Sequence, residues 1–138
     1  MMGIYFLINN YFDPNNIKYF KKRFDGDFKA FISEELIYLR EYLDEDDKII
    51  SLLHEIIHKD PKYVLHNRKS QLYYNDIGFR RSLSEFDNEK TFLEEHTRTE
   101  EEIDRRAIEV FKYHPHLVNY LKSKLSLDVE VSTVQTVV

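Results

Sequence analysis

The sequence predicts an α+β fold, a small and mainly helical domain in which a short β-hairpin or sheet packs beside one central helix. Residues 49–58 carry apolar side chains at helical spacing after an acidic run, which indicates that helix. Residues 28–32 and 36–39 are short apolar runs separated by a polar link, the pattern of a hairpin. Of the 138 residues, 42% are hydrophobic, which is enough to build a core without disulfides. A single domain over residues 1–138 is therefore expected.

The N-terminal part of the chain is predicted to contribute a core segment and a short helix before the hairpin. Residues 4–8 are apolar and are expected to form part of the core. Asp13 and Pro14 resemble a helix N-cap followed by a first-turn proline. Apolar residues then recur at helical spacing, which predicts a short amphipathic helix over residues 14–24. The two apolar runs of the hairpin follow, although residues 34–43 also fit a helix.

The central helix is predicted to begin in the acidic run 44–47, because the helix dipole favours negative charge in the first turn. Pro61 prevents much continuation beyond Asp60. The apolar residues of this helix cover a broad arc of its surface, which indicates that the helix is largely buried. They are Ile49, Leu52, Leu53, Ile56 and Ile57.

The C-terminal half is predicted to contain helices joined by loops. Residues 60–98 are polar and aromatic without a firm period, so short helices and loops are expected there. A further helix is predicted from about Thr99, whose hydroxyl can cap it, with Glu102 at the capping-box position. Pro115 is expected to end or kink this helix before one or two more amphipathic turns. Residues 126–138 are rich in β-branched residues and predict a strand or a frayed end.

Charge and composition exclude several classes of function. The formal net charge is −5 with scattered basic residues, whereas nucleic-acid binders usually carry a basic excess or stripe, so no direct nucleic-acid partner is expected. The chain has no cysteine, which excludes disulfides, thiolate metal sites and a cysteine nucleophile. The apolar run 4–8 is far shorter than the ~20 residues that span a bilayer, and it lacks the features of a signal peptide. These features fit a cytoplasmic protein without membrane association and leave its oligomeric state open.

The central helix carries the motif His54-Glu55-Ile56-Ile57-His58, an H-E-x-x-H sequence. Residues four apart lie one turn apart on one helix face, so the two imidazoles can bind one Zn²⁺ ion. Glu55 points about 100° away from that face and can act on a metal-bound water as a general base. Two histidines in an apolar helix are costly without partners. The alternative interpretation is that they are ordinary histidines at the rim of a core helix.

A catalytic zinc site needs a third protein ligand besides two histidines. On a helical wheel, Glu100 and Asp104 lie within the apolar stripe of the helix predicted from Thr99, whereas Glu101 and Glu102 lie outside it. Glu100 is therefore predicted as the third ligand. Asp104 is predicted to accept a hydrogen bond from a ligand histidine, or to be the ligand itself in an alternative register. Each carboxylate alone also fits an ordinary surface role.

Other histidines and tyrosines lie outside the proposed ligand set. His66 follows the central helix and could approach the metal, but a place in a loop is expected for it. Tyr73 and Tyr74 are candidate donors to a tetrahedral intermediate. His114 and His116 flank a helix end and are expected at the surface.

The order of these elements resembles the ImmA/IrrE family of small zinc metallopeptidases. The resemblance covers roughly residues 25–115. It is carried by the strand pair, by Leu53 with the H-E-x-x-H motif, and by the later pattern Glu100, Ile103, Asp104 and Ala107. It implies a gluzincin-like, zinc-dependent endopeptidase that cleaves a regulatory or repressor protein. An extended peptide substrate could be held by strand addition at the hairpin edge.

Two other functions remain open from the sequence. One is a non-enzymatic regulatory or interaction protein of a phage or mobile element, in which the H-E-x-x-H motif is a chance occurrence or a relic. The other is a structural zinc-binding domain without turnover.

Overall fold

A computed structural model describes residues 3–20, 30–33, 36–40 and 43–125 of the protein. Within these ranges the chain forms six α-helices and one small mixed sheet, so the predicted α+β class is confirmed. In chain order the elements are α1 (Ile4–Tyr11), a 3-10 turn (Pro14–Asn16), β1 (Ile17–Phe20), β2 (Ala30–Ser33), β3 (Leu36–Arg40), α2 (Glu45–Ile57), a second 3-10 turn (Pro61–Tyr63), α3 (Val64–Asn75), α4 (Ile77–Glu85), α5 (Glu89–Tyr113) and α6 (Pro115–Lys124).

Helix α2 is the centre of the core. It packs against α5, against the sheet, and against α1 and α6. Its five predicted apolar residues are fully buried: Ile49, Leu52, Leu53, Ile56 and Ile57. Burying a side chain of this size contributes about 1.5–3 kcal/mol. A helix surrounded on several sides is held rigidly, so side chains that it carries at its rim have fixed positions.

The beginning of α2 follows from its acidic sequence. The Asp44 carboxylate accepts a hydrogen bond from the backbone N–H of Asp47 at 2.8 Å, as an N-cap does. Three acidic residues occupy the first turn, where the helix dipole stabilises negative charge. The predicted start of the central helix is confirmed.

The sheet has the strand order β1-β3-β2, with β1 parallel and β2 antiparallel to the central strand. The antiparallel pair of β2 and β3 confirms the predicted hairpin; the described part of its first strand is Ala30–Ser33, and residues 28–29 of the predicted run lie outside the described part of the chain. The buried side chains of Ile37 and Leu39 in β3 belong to the same core as α2. The sheet therefore lies beside the central helix, as predicted.

The predicted helix over residues 14–24 is wrong. A 3-10 turn at Pro14–Asn16, capped by Asp13, is followed by the strand Ile17–Phe20, and residues 21–24 lie outside the described part of the chain. Backbone pairing with β3 stabilises this extended conformation, and β-branched and aromatic residues favour it. The apolar segment 4–8 does enter the core, as part of α1, where Leu7 and Ile8 are buried.

The predicted helix start at Thr99 is also wrong. Helix α5 begins ten residues earlier at Glu89, and the Thr99 hydroxyl donates to the Glu95 carbonyl inside the helix at 3.0 Å instead of capping it. The short helices expected within residues 60–98 are confirmed as α3 and α4. Pro115 separates α5 from α6, as predicted. Residues 126–138 lie outside the described part of the chain.

A buried ion pair connects the end of α2 to α5. Asp60 is 1% exposed, and its carboxylate accepts one bond from the Lys62 backbone N–H and another from the Arg106 guanidinium, both at 3.0 Å. The Tyr63 hydroxyl accepts from Arg106 at 3.0 Å and donates to Glu102 at 2.6 Å. This network fixes the turn after α2 against α5, and so it fixes the angle at which α3 leaves.

Within the described ranges, each helix is too short or too polar to cross a membrane.

Candidate metal centre

His54 and His58 occupy the last turn of α2 and its C-cap position. Because they are four residues apart, both imidazoles project from one face of the helix. Their Nε2 atoms face each other at 3.1 Å, and each side chain is 17% exposed. Two nitrogen lone pairs this close repel unless a proton or a cation lies between them.

Glu100 on α5 completes a three-residue cluster. Its Oε1 lies 3.2 Å from Nε2 of His54, and its Oε2 lies 3.3 Å from Nε2 of His58. One ligand atom from each of the three residues lies within 4.8 Å of the others. Tetrahedral zinc with bonds of ~2.0–2.1 Å separates any two of its donors by about 3.3–3.4 Å. The cluster therefore has the donor types and the spacing that could hold a metal ion.

The outer nitrogens of both histidines have hydrogen-bond acceptors. Nδ1 of His54 lies 2.6 Å from Oδ1 of Asp104, one helix turn beyond Glu100. Nδ1 of His58 lies 2.8 Å from Oδ1 of Asn67, whose amide nitrogen donates to the His58 carbonyl at 2.7 Å. Acceptors at Nδ1 hold the proton there and leave each Nε2 lone pair for a metal, the arrangement that metal-bound histidines usually have.

Electrostatics in the cluster favour positive charge between the helices. Burial lowers the pKa of His54, but the hydrogen bond to Glu100 and the negative charges of Glu55, Asp104 and Glu100 outweigh it and raise that pKa to about 9. The pKa of His58 is also raised, because its bond to Glu100 and the nearby charges exceed the effect of burial. Burial raises the pKa of Glu100, but its bonds to the histidines shift it well below its usual value. A divalent cation between the three side chains would neutralise the same negative charge that the protons on His54 and His58 neutralise.

Glu55 lies next to this cluster but is more deeply buried, with 8% of its surface exposed. Burial raises its pKa, and the charges of His58 and His54 act in the opposite direction. A buried carboxylate with a raised pKa beside a possible metal cluster could accept a proton there.

The structure brings together the residues predicted for the site and adds His66, for which a place in a loop was expected, and Asn67, which the sequence did not indicate. His66 lies in α3 rather than in a loop, and its Nε2 is 2.5 Å from Oε2 of Glu100. Asn67 follows His66 in the same helix. The Asp60-Pro61 pair indicates a new helical element soon after α2, but it does not indicate the direction in which that element runs.

The tyrosines do not join the cluster. The Tyr73 hydroxyl donates to Glu89 at 2.8 Å, and Tyr74 is largely exposed with its ring against Tyr73. His114 and His116 follow Glu100 by about four helical turns, or ~20 Å along the axis of α5. His116 is exposed as predicted, whereas His114 is half-buried with its ring against Tyr5.

Comparisons of the chain with protein-family models, with curated proteins and with solved structures found no match.

Proposed function

We propose that the protein is a zinc-dependent endopeptidase with His54, His58 and Glu100 as metal ligands and Glu55 as general base. The observation that carries this proposal is the convergence of three donor groups from α2 and α5, with both outer imidazole nitrogens held by acceptors. Three protein ligands of the His₂Glu type are typical of catalytic zinc, because they leave one position for water.

The residues suit hydrolysis by activated water. Zinc bound there would lower the pKa of a water ligand toward about 7. Glu55 would take the proton of that water and pass it to the leaving amine, a role that contributes about 10²–10⁴-fold to a rate. Its burial favours proton transfer, because a carboxylate with a raised pKa binds the proton readily and keeps it from bulk water.

The proposed substrate is a regulatory or repressor protein, cleaved in an extended segment. The resemblance of the motif and element order to the ImmA/IrrE family suggests this class. Among the described strands, β1 and β2 lie at the two edges of the sheet beside α2, and an edge strand can bind an extended peptide through backbone hydrogen bonds. We propose the cytoplasm as its location, which the lack of cysteine in the sequence fits.

Glu55→Gln tests the catalytic assignment. The variant keeps the shape of the buried side chain but cannot accept the proton, so it should bind zinc as the natural chain does while cleavage falls at least about 100-fold. Cleavage can be measured as new peptide termini, detected by mass spectrometry in a proteome-derived peptide library. Glu101→Gln, an exposed carboxylate on α5, is the matched control and should keep full activity.

The outcomes separate the candidate functions. Cleavage that persists in Glu55→Gln would contradict the role of Glu55. Zinc binding by the natural chain without any cleavage would favour a structural zinc domain. Failure of the natural chain to bind zinc would leave the non-enzymatic regulator as the better account.

A further inference from the structure

His66 contacts the metal cluster without belonging to it. Its Nε2 is hydrogen-bonded to Oε2 of Glu100 at 2.5 Å, and its side chain is 11% exposed. Among the described residues, the group whose ligand atoms all lie within 4.8 Å of one another consists of His54, His58 and Glu100. His66 is not part of that group. The contact therefore goes to a ligand and not to the place of the ion.

The ring of His66 is held from both sides. It stacks on the ring of His58 at 5.7 Å and 22°, and on the ring of His96 at 4.8 Å and 25°. His96 comes from α5, one turn before Glu100, and stacks in turn on Phe92. A ring confined between two others cannot tilt freely, so the direction of its N–H toward Glu100 is fixed.

This arrangement distinguishes the two oxygens of Glu100. A carboxylate can bind a metal through one oxygen or through both, and a carboxylate ligand is usually held by a further hydrogen bond. A short bond from imidazole to a carboxylate is charge-assisted and therefore strong. Both oxygens lie near the two ligand histidines, Oε1 at 3.2 Å from Nε2 of His54 and Oε2 at 3.3 Å from Nε2 of His58. Only Oε2 also carries the shorter bond to His66, so Oε1 is the oxygen with more of its lone-pair density free for the metal.

We propose that His66 is a positioning residue that engages Oε2 of Glu100 and so makes this carboxylate a one-oxygen ligand. The proposal rests on the zinc site proposed above. Its consequence is functional, because a ligand that used both oxygens would take up the coordination position that water needs.

Two variants of His66 test the proposal. His66→Ala removes the donor, and zinc affinity, measured by competition with a chromogenic chelator, should fall about 10–100-fold. His66→Gln places an amide N–H near the same oxygen and should restore part of that loss. His116→Ala, which removes an exposed histidine in the first turn of α6, is the control and should bind as the natural chain does. Urea denaturation of each zinc-free variant shows whether the fold is retained.

The coordination number of the bound metal is a second measurement. It would not change if His66 only stabilised the fold. Co²⁺ in place of zinc should show the intense visible absorption of a four-coordinate ion in the natural chain and in His66→Gln. In His66→Ala the absorption should weaken, because Glu100 then binds through both oxygens and the ion becomes five-coordinate.

Each outcome decides the proposal. Unchanged affinity and an unchanged Co²⁺ spectrum in His66→Ala would overturn it and leave the zinc site intact. A loss above 1,000-fold that Gln does not restore, with one nitrogen donor fewer around the metal, would overturn it by making His66 a ligand. If the natural chain binds no zinc or Co²⁺, the proposal fails together with the site on which it rests.

Discussion

Removing the Asp104 carboxylate should weaken zinc binding, and the size of the effect should depend on pH. Asp104 accepts the Nδ1 proton of His54 at 2.6 Å, which fixes the ring and makes Nε2 a better donor. Partners of this kind contribute about 10–100-fold to metal affinity. Because the Asp104 side chain is 61% exposed, water can replace it in part, and we expect a loss near tenfold, or about 1.4 kcal/mol.

Proton competition sets the pH dependence. The negative charge of Asp104 helps to raise the pKa of His54 to about 9, so at pH 7 zinc must displace a proton from His54. Asp104→Ala lowers that pKa, which reduces the competition and masks part of the lost affinity. Above pH 9 His54 is already neutral in both proteins, and the full loss should be visible. The affinity ratio between the natural chain and Asp104→Ala should therefore grow as pH rises from 7 to 9.

The assay is chelator competition at several pH values between 7 and 9, with Glu101→Ala as a control that removes an exposed charge of the same sign from α5. Equal affinities of Asp104→Ala and the natural chain at pH 9 would refute the reasoning. So would a tenfold loss in the Glu101 control, because the effect would then be one of net charge.

Two further predictions concern protons and the buried ion pair. Since the pKa of His54 is about 9, zinc binding at pH 7 should release about one proton or more, and calorimetric heats should differ between buffers of different ionisation enthalpy; heats independent of the buffer would contradict this. Arg106→Ala removes the guanidinium that donates to the buried carboxylate of Asp60, so the free energy of unfolding should fall by about 3 kcal/mol in urea denaturation. Arg105→Ala, an exposed neighbour, should change it by less than about 0.5 kcal/mol, and an Arg106 effect that small would show that the ion pair contributes little.

The central helix could be predicted because the residues that determine it lie within the helix and at its start. Asp44 caps it and five apolar residues repeat at its period. Strand β1 could not be found in the same way, because Ile17–Phe20 also fits a helical spacing and its parallel partner β3 lies about twenty residues away. Pairing between distant segments decided the conformation there.

Helix α5 shows why part of a site resists prediction. The first half of α5 faces α3 with Phe92, His96 and Glu100. Only Phe92 in this stripe is apolar. Hydrophobic periodicity therefore could not indicate that the helix begins before Thr99. Glu100 and Asp104 were accessible from the sequence because Ile103 and Ala107 mark the same face. The contacts of His66 and Asn67 could not be predicted from the sequence, because they depend on the direction that α3 takes after the turn at Asp60.

The most direct test of the account is the coordination shell of zinc in the purified protein, measured by X-ray absorption spectroscopy together with the zinc content per chain. The account predicts one zinc per chain with two imidazole nitrogens at ~2.0–2.1 Å and oxygen donors at ~2.0–2.2 Å, and loss of that zinc in His58→Ala. A natural chain that takes up no zinc, or a zinc ion that stays bound with unchanged ligands in His58→Ala, would contradict it.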